Sequence, residues 1–290
     1  MGNDNIVLAC GMTSGVYYGD DLTVKFAADI SGFSSVWDWI QTRIQAASFI
    51  GLKIGDYIPL VAGGYTIKAE IAGIDTYYGA GNPMVQHHID FISRDCWPVA
   101  HAWNKVDFNN GTIVSPHPWL ASDIYAWLNS LAMNVPNGAI ANPPLGAVNY
   151  TTTGVFDKLP AMLKNIIAEK WVVAPKRYET NELLVDDNDG GFINIGKLWL
   201  PSEFEVCNFT HWGTKKNGYS SCGFQQYPIF ANNMKRIKGE SDGGERIQWW
   251  MLSAVGGSST NCVYSGVLGM IMPMEASYES FHAPVCFRIS

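Results

Sequence analysis

Apolar positions in this chain come in short runs broken by glycine, and their spacing switches between the helical and the strand period. Residues 6–30 hold the runs Ile6 to Cys10, Gly15 to Gly19 and Leu22 to Phe26, which predict an arm or a small strand pair. Trp37, Ile40, Ile44 and Ala47 then recur at helical spacing behind Ser34 and Ser35, either of which can cap, and Gly51 ends the helix. A sheet begins at Ile54 to Leu60. Residues 65–74 alternate with period two after a Gly63-Gly64 turn, and residues 87–93 continue the pattern, so a hairpin joined by a loop at 77–84 is expected. Residues 119–131 read as a second helix, with Ser122 as cap and Ile124, Trp127, Leu128 and Leu131 on one face. Residues 134–153, rich in Pro, Gly, Asn and Thr, read as a long surface loop. A third short helix follows at 159–167, then strands at 171–174 and 198–201, the latter entering a turn with Glu203 and Glu205.

The last forty-odd residues organise the rest. They open on Gln248-Trp249-Trp250-Met251-Leu252-Ser253 and close on Ala283-Pro284-Val285-Cys286-Phe287-Arg288-Ile289. Adjacent tryptophans in a strand point to opposite faces, so one anchors a core and the other supports the next layer. The expectation is that the double-tryptophan strand and the closing strand are partners in one sheet, clamping a displayed loop region between them.

Composition narrows the classes. Of 290 residues, 47% are hydrophobic and only 16% charged, which argues against disorder and for an aromatic-cored, loop-rich globule. A net charge of −7 disfavours a nucleic-acid partner, since phosphate neutralisation needs a basic stripe. The basic clusters Lys215-Lys216 and Lys235-Arg236-Ile237-Lys238 read as solvated loop charge. No apolar run reaches spanning length and no basic start precedes an apolar core, so a soluble protein without membrane insertion or a cleaved signal is expected. The six cysteines (Cys10, Cys96, Cys207, Cys222, Cys262 and Cys286) lack C-x-x-C spacing and read as buried free thiols.

Sets of residues able to carry chemistry are sparse. Glu203 and Glu205, two apart, would share a strand face and could serve as an acid–base pair, although Glu203 capping a turn fits better. His87 and His88 are adjacent in a strand, hence one inside and one outside, which disfavours a metal pair. The stretch Asp186-Asp187-Asn188-Asp189-Gly190-Gly191 resembles a calcium loop, but its twelfth position is Lys197 rather than glutamate. No nucleophile elbow, Walker loop, dinucleotide fingerprint or His-Glu-x-x-His is present. No cofactor and no metal are expected.

Several segments, in order, resemble one family. They are Gly55-Asp56 with the alternating strands, Ile89 to Cys96, and Trp119, Ser122 and Trp127-Leu128-Asn129 on one helix. Leu159-Pro160, Leu198-Trp199-Leu200-Pro201-Ser202-Glu203-Phe204-Glu205, Tyr227-Pro228-Ile229-Phe230 and Trp249-Trp250 complete the set. The family is a domain of unknown function common in Firmicutes and their phages. Its C-terminal half is similar to the C-type-lectin-like fold of formylglycine-generating enzymes and phage retroelement variable proteins. The likeness covers roughly residues 35 to 290. It departs at the end, where Leu252 stands for an arginine, Ser253-Ala254 for Ser-Pro, and no arginine precedes Pro284.

The resemblance implies an α+β, C-type-lectin-like mixed fold with short antiparallel sheets, two or three helices and long loops. Residues 1–34 would be an attachment arm to other virion proteins and residues 35–290 a single domain. The expected role is non-catalytic: a homo-oligomeric virion surface protein recognising a host cell-surface glycan or protein. The alternatives are a structural head or tail decoration protein and a formylglycine-type enzyme using Cys262 and Cys286. Calcium-binding Glu-Pro-Asn and Trp-Asn-Asp sets are absent, so a glycan would be held by stacking and hydrogen bonds. Tyrosine among small polar residues suits recognition, because Tyr gives area at low entropy cost. The candidate ligand residues are Trp212, Tyr219, Ser258, Ser259, Asn261, Tyr264, Glu275, Ser277, Tyr278 and His282.

Overall fold

A computed structural model of the chain describes residues 19–80, 84–112, 115–138, 143–174, 176–180, 183–187, 192–213, 225–240 and 244–290. Three helices open it: α1 (Leu22–Lys25), α2 (Ala27–Ile30) and α3 (Val36–Gln45). Strands β1 (Tyr57–Ala62), β2 (Tyr65–Ile74) and β3 (Ile89–Cys96) follow, then α4 (Asp123–Leu128) and the hairpin β4 (Ala132–Pro136) and β5 (Leu145–Asn149). Next come α5 (Val155–Lys158), α6 (Ala161–Ile166), β6 (Ile167–Ala168), β7 (Trp171–Val173), β8 (Lys176–Thr180), β9 (Leu183–Asp187), β10 (Phe192–Asn194) and β11 (Leu198–Trp199). The last part holds α7 (Glu203–Cys207), β12 (Lys238–Gly239), β13 (Arg246–Ile247), β14 (Trp249–Ala254), β15 (Asn261–Ser265), β16 (Ile271–Glu275) and β17 (Pro284–Ile289). The architecture is α+β, with short antiparallel sheets and long connections, and with more and shorter helices than the two or three expected.

The principal sheet runs β1-β2-β3-β17-β11, with β6 also paired to β17, and every pairing is antiparallel. Its middle strands are buried on both faces, and β17 is buried from end to end. That is why its sequence reads as an unbroken apolar run interrupted only by Arg288. Helix α3 covers one face: Ser35 accepts the Asp38 N–H, and Trp37, Trp39, Ile40 and Ile44 turn inward. Trp37 meets Phe91 and Phe287 edge-on at 6.1 and 5.9 Å, while those two rings stack across β3 and β17 at 5.1 Å. Each such pair adds about 0.5–1.5 kcal/mol beyond its buried area. The Gly63-Gly64 turn between β1 and β2 has φ of 58° and 86°, a conformation that favours glycine at both positions.

The structure corrects the expected pairing of the double-tryptophan strand. β14 belongs to a separate three-stranded sheet, β14-β15-β16, and meets the segment before β17 at a bridge between Trp249 and His282. There the Trp250 N–H donates to the His282 carbonyl and the His282 N–H to the Gln248 carbonyl, both at 3.0 Å. The two indoles do face opposite ways. Trp249 stacks on Phe230 and donates Nε1 to the Arg236 carbonyl; Trp250 packs on Phe281 and donates Nε1 to the His101 carbonyl.

Other expectations shift as well. The run from Leu22 to Phe26, expected in an arm or a small strand pair, is helical instead, with Leu22 to Lys25 forming α1 and Phe26 its C-cap. Asp21 caps α1, Leu22 is buried, and Val24 points to solvent. Lys25 ties this segment to Asp56 at 2.8 Å, so residues from Asp20 onward pack on the body of the fold; residues 1–18 of the proposed arm lie outside the described residues. The predicted loop at 134–153 contains most of the β4–β5 hairpin, whose Val135 and Val148 pack on Ala126. The basic run at 235–238 is not solvated: the Lys238 ammonium is buried on the Ser93 and Arg94 carbonyls, and Lys235 pairs with Glu70 at 2.7 Å. Lys215-Lys216 lies outside the described residues.

Candidate functional site

One cluster of charges is buried inside the fold. Arg288 on β17 faces its register partner Asp90 on β3, donating Nε to Oδ1 at 2.7 Å and Nη2 to Oδ2 at 2.8 Å. The Tyr227 hydroxyl donates to the same carboxylate at 2.9 Å. Burial alone would raise the Asp90 pKa, but the Arg288 charge and hydrogen bonds outweigh it and hold it at about 2. Beside it, Lys170 contacts Glu205 Oε1 at 2.5 Å and sits 3.6 Å from the Trp199 ring centre, with Tyr227 and Tyr77 at 5.0 and 5.3 Å. The Tyr77 hydroxyl also donates to Glu205, at 2.6 Å. His88 completes the set: its Nε2 accepts the Tyr77 N–H at 3.3 Å and its Nδ1 meets the Gln86 carbonyl at 2.8 Å. Those partners assign the neutral tautomer protonated at Nδ1. Burial, reinforced by the Arg288 charge, pushes the His88 pKa down to about 4.

These eight side chains are all buried, and two cations balance two carboxylates. The arrangement joins β3, β17, α7 and the 75–88 connection, so its chemistry is that of a scaffold. The paired acids are corrected accordingly. Glu203 and Glu205 lie in the first turn of α7 rather than on a strand, and they do unrelated work. Glu205 closes a capping box with Ser202. Glu203 accepts the N–H groups of His211, Trp212 and Gly213 at 2.8 to 3.2 Å and fixes the course of that segment. His88 is buried and His87 half-exposed on Asp75, but neither lies on a strand as expected: β3 begins only at Ile89, and Asp75 takes both the His87 ring nitrogen and the His88 N–H.

Most of the predicted ligand residues do converge, at one end of the β14-β15-β16 sheet. The buried Arg177 guanidinium clamps the 255–258 turn by donating to the Val255 and Ser258 carbonyls. The Asn109 N–H donates to the Ser259 carbonyl at 2.9 Å, and its side chain to the Asn261 carbonyl. The Ala276 N–H donates to the Thr260 carbonyl at 2.8 Å, and the Asn104 N–H to the Ala276 carbonyl at 2.9 Å. Ser277 gives its N–H and hydroxyl to Asp107 at 3.1 and 2.6 Å. Ser258, Ser259, Asn261, Glu275 and Ser277 are thus brought together, with Tyr278 above them, 41% exposed and resting on Phe281 at 4.6 Å. Glu275, Glu279 and Ser280 are exposed alongside.

Other candidates fall elsewhere. Tyr264 is buried against Phe281 and Trp250, and His282 spends Nδ1 on the Trp97 carbonyl. Trp212 lies half-buried with its indole N–H on the Ile271 carbonyl at 3.0 Å; Tyr219 lies outside the described residues. The residues that shape this face, Arg177, Asp107 and Asn109, carry no sequence signal, because each acts across a long chain separation.

With this geometry in hand, comparison with known proteins is informative at one level. Residues 103–290 match the family described as Domain of unknown function (DUF6273). The chain belongs to the DUF6273 family. No curated protein and no solved structure matches it. The DUF6273 span carries β14-β15-β16, the displayed turns and both members of the Lys170–Glu205 pair. Strands β1 to β3 lie before it, yet β3 is hydrogen-bonded to β17 inside it, so the DUF6273 core is completed by the preceding segment.

Among the described residues, no group of three His, Cys, Asp or Glu side chains could hold a metal, and no helix is long and apolar enough to cross a membrane. Residues 188–191 of the acidic stretch, Cys10 and Cys222 lie outside the described residues. Cys96, Cys207, Cys262 and Cys286 are free and buried. Burial pushes the Cys262 and Cys286 thiols well above their ordinary pKa, and the two belong to different sheets.

Proposed function

We propose that this DUF6273 protein is a non-catalytic recognition protein of a phage virion, lectin-like in its C-terminal half. It would bind a host-surface glycan or protein through the face built from the 256–260 and 275–281 turns. The observation that carries this reading is Tyr278, a large exposed side chain flanked by Glu275, Glu279 and Ser280, on a turn whose base is fixed by Asp107, Asn104 and Phe281. An aromatic anchor on a rigid base loses little entropy on binding. The clamp expected from a β14–β17 pairing is lost, since the two strands lie in separate sheets, and Arg177 with the 104–112 segment holds the turns instead. Cysteine chemistry is disfavoured by two buried thiols held far from the thiolate form. Host-cell binding by the purified protein, lost in Tyr278→Ala, is the expected result. No binding by the wild type would refute recognition, and absence of the chain from a mass spectrum of purified particles would refute the virion assignment.

One observation favours a structural decoration role instead. Met234, Leu268 and Met270 are exposed by 50, 67 and 59%, and the turn bearing the latter two packs against residues 233–237. Such an apolar cluster suits contact with a neighbouring subunit, including a second copy of this chain, with residues 1–34 as a further attachment point. A Leu268→Ser variant that changes the mass of the assembly in solution while leaving cell binding intact would support that role.

A further inference from the structure

Next to the displayed turns, the structure builds a second polar feature with a loose end. His101 is suspended between the sheets: its N–H donates to the Phe281 carbonyl and its own carbonyl accepts the Trp250 indole N–H, both at 2.9 Å. The imidazole lies flat on Trp127, with centroids 4.4 Å and planes 8° apart, and the edge of Tyr150 stands 5.6 Å away. Nε2 meets Asp123 Oδ2 at 3.1 Å. The same buried carboxylate takes the Tyr150 hydroxyl at 3.0 and 3.1 Å. Asp123 is fixed in turn, in the first turn of α4 behind the Ser122 cap, with its N–H on Asn104 Oδ1 at 2.9 Å.

In the neutral ring, with the carboxylate accepting, Nε2 carries the proton and Nδ1 presents its lone pair. Nδ1 has no hydrogen-bond partner among the described residues, and the side chain retains 17% of its exposure. Three groups therefore orient one ring so that a single acceptor is left unused. Such a group forms a hydrogen bond to a ligand without first losing rotamer freedom.

We propose that His101 Nδ1 is a ligand subsite of the displayed face, accepting a hydroxyl of a neutral saccharide whose apolar ring face rests on Tyr278. This rests on the recognition reading and adds the ligand class to it. Phe281 links the two segments: its ring meets Tyr278 at 4.6 Å and its carbonyl accepts the His101 backbone N–H. Glu275, Glu279 and Asp107 outnumber the exposed Lys105 beside this face, which weighs against polyanionic wall polymers, while an aromatic ring and a lone-pair acceptor suit an uncharged sugar. Asp123 is a positioning residue that acts through His101.

The test uses the full chain with neutral oligosaccharides of glucose, galactose and N-acetylglucosamine, and with polyglycerol phosphate as the anionic probe. Long-range nitrogen NMR of histidine-labelled protein should show Nε2–H on His101 in the free state and a shift at Nδ1 on adding a bound neutral sugar. His101→Ala should weaken that sugar about three- to tenfold, the worth of one hydrogen bond. Asp123→Asn should alter the His101 tautomer signal together with affinity. Sugar binding with no shift at Nδ1 and unchanged affinity in His101→Ala would overturn the proposal but leave recognition standing. So would preference for polyglycerol phosphate, or Tyr278-dependent cell binding with no neutral sugar bound. Failure of the wild type to bind either cells or sugars would remove both.

Discussion

Replacing Glu205 by glutamine strands the Lys170 ammonium in a box of aromatic rings. The pair is separated by 2.5 Å and both side chains are buried. At an effective dielectric of about 20, charges that close attract by about 7 kcal/mol, while removing each ion from water costs several kcal/mol. The intact pair is therefore close to neutral in net stability, but breaking it leaves one uncompensated charge at a cost of about 3–5 kcal/mol. Burial already lowers the Lys170 pKa against the opposing pull of Glu205, so losing that carboxylate shifts the balance toward a neutral amine. Glu205→Gln and Lys170→Met should each lower unfolding free energy by about 3–5 kcal/mol, a large share of the roughly 5–15 kcal/mol of a typical domain. The double variant should lose markedly less than the sum, because the introduced thioether chain fills the box and the introduced amide still accepts from Tyr77. Urea unfolding followed by tryptophan fluorescence measures all three. Single losses below about 1 kcal/mol, or strict additivity, would refute the claim that these charges are buried and mutually dependent.

The same interior makes stability depend on pH and on chain length. His88 is neutral in the fold with a pKa of about 4 against 6.5 for an unconstrained histidine, so the unfolded chain binds more protons between those values. Its contribution, about 3 kcal/mol, is present above pH 6.5 and lost as pH falls toward 4; His88→Asn should flatten that part of a stability–pH curve, and an unchanged slope would refute it. A fragment comprising residues 103–290 alone should fail to give cooperative unfolding, because Arg288 then lacks Asp90 and β17 loses its neighbour β3; a sharp thermal transition in that fragment would show the DUF6273 span to be self-sufficient. Ser202→Ala should cost about 0.5–2 kcal/mol by opening the α7 capping box, read from the urea midpoint at constant slope.

How much was legible in the sequence depended on range. Ser35 with Trp37, Ile40 and Ile44 specified α3, and residues 65–74 specified β2, because cap, period and turn are local properties. The ordered segments from Gly55 to Trp250 pointed to a domain of unknown function over residues 35 to 290, whereas the family match begins at residue 103 and leaves Gly55-Asp56 and Ile89 to Cys96 outside it. Leu22 to Phe26 was ambiguous, since positions two and four apart coincide in so short a run, and the Asp21 cap decided for helix. The β4–β5 hairpin was hidden by its turn-rich composition, where Val135 and Val148 are the main apolar cue. Strand partners were out of reach: nothing near Trp249 says that it pairs with Ser265 rather than with the closing strand. The displayed face was half legible. Serine and tyrosine marked the turns, but Tyr264 and His282 share that composition and are used in packing. The charged interior was invisible for the same reason, since Asp90, Lys170, Glu205 and Arg288 meet only after the whole chain has closed.

That closure has a temporal side. Asp90 and Arg288 are 198 residues apart, and the strand bearing the arginine occupies the middle of the sheet rather than its rim. A ribosome adding about 5–20 residues per second leaves an interval of about 10–40 s between the two. Throughout it the aspartate waits without its counter-ion, and β3 offers an open edge to other nascent chains. The principal sheet thus cannot close before β17 has emerged, and overproduction should strain chaperone capacity before it strains translation.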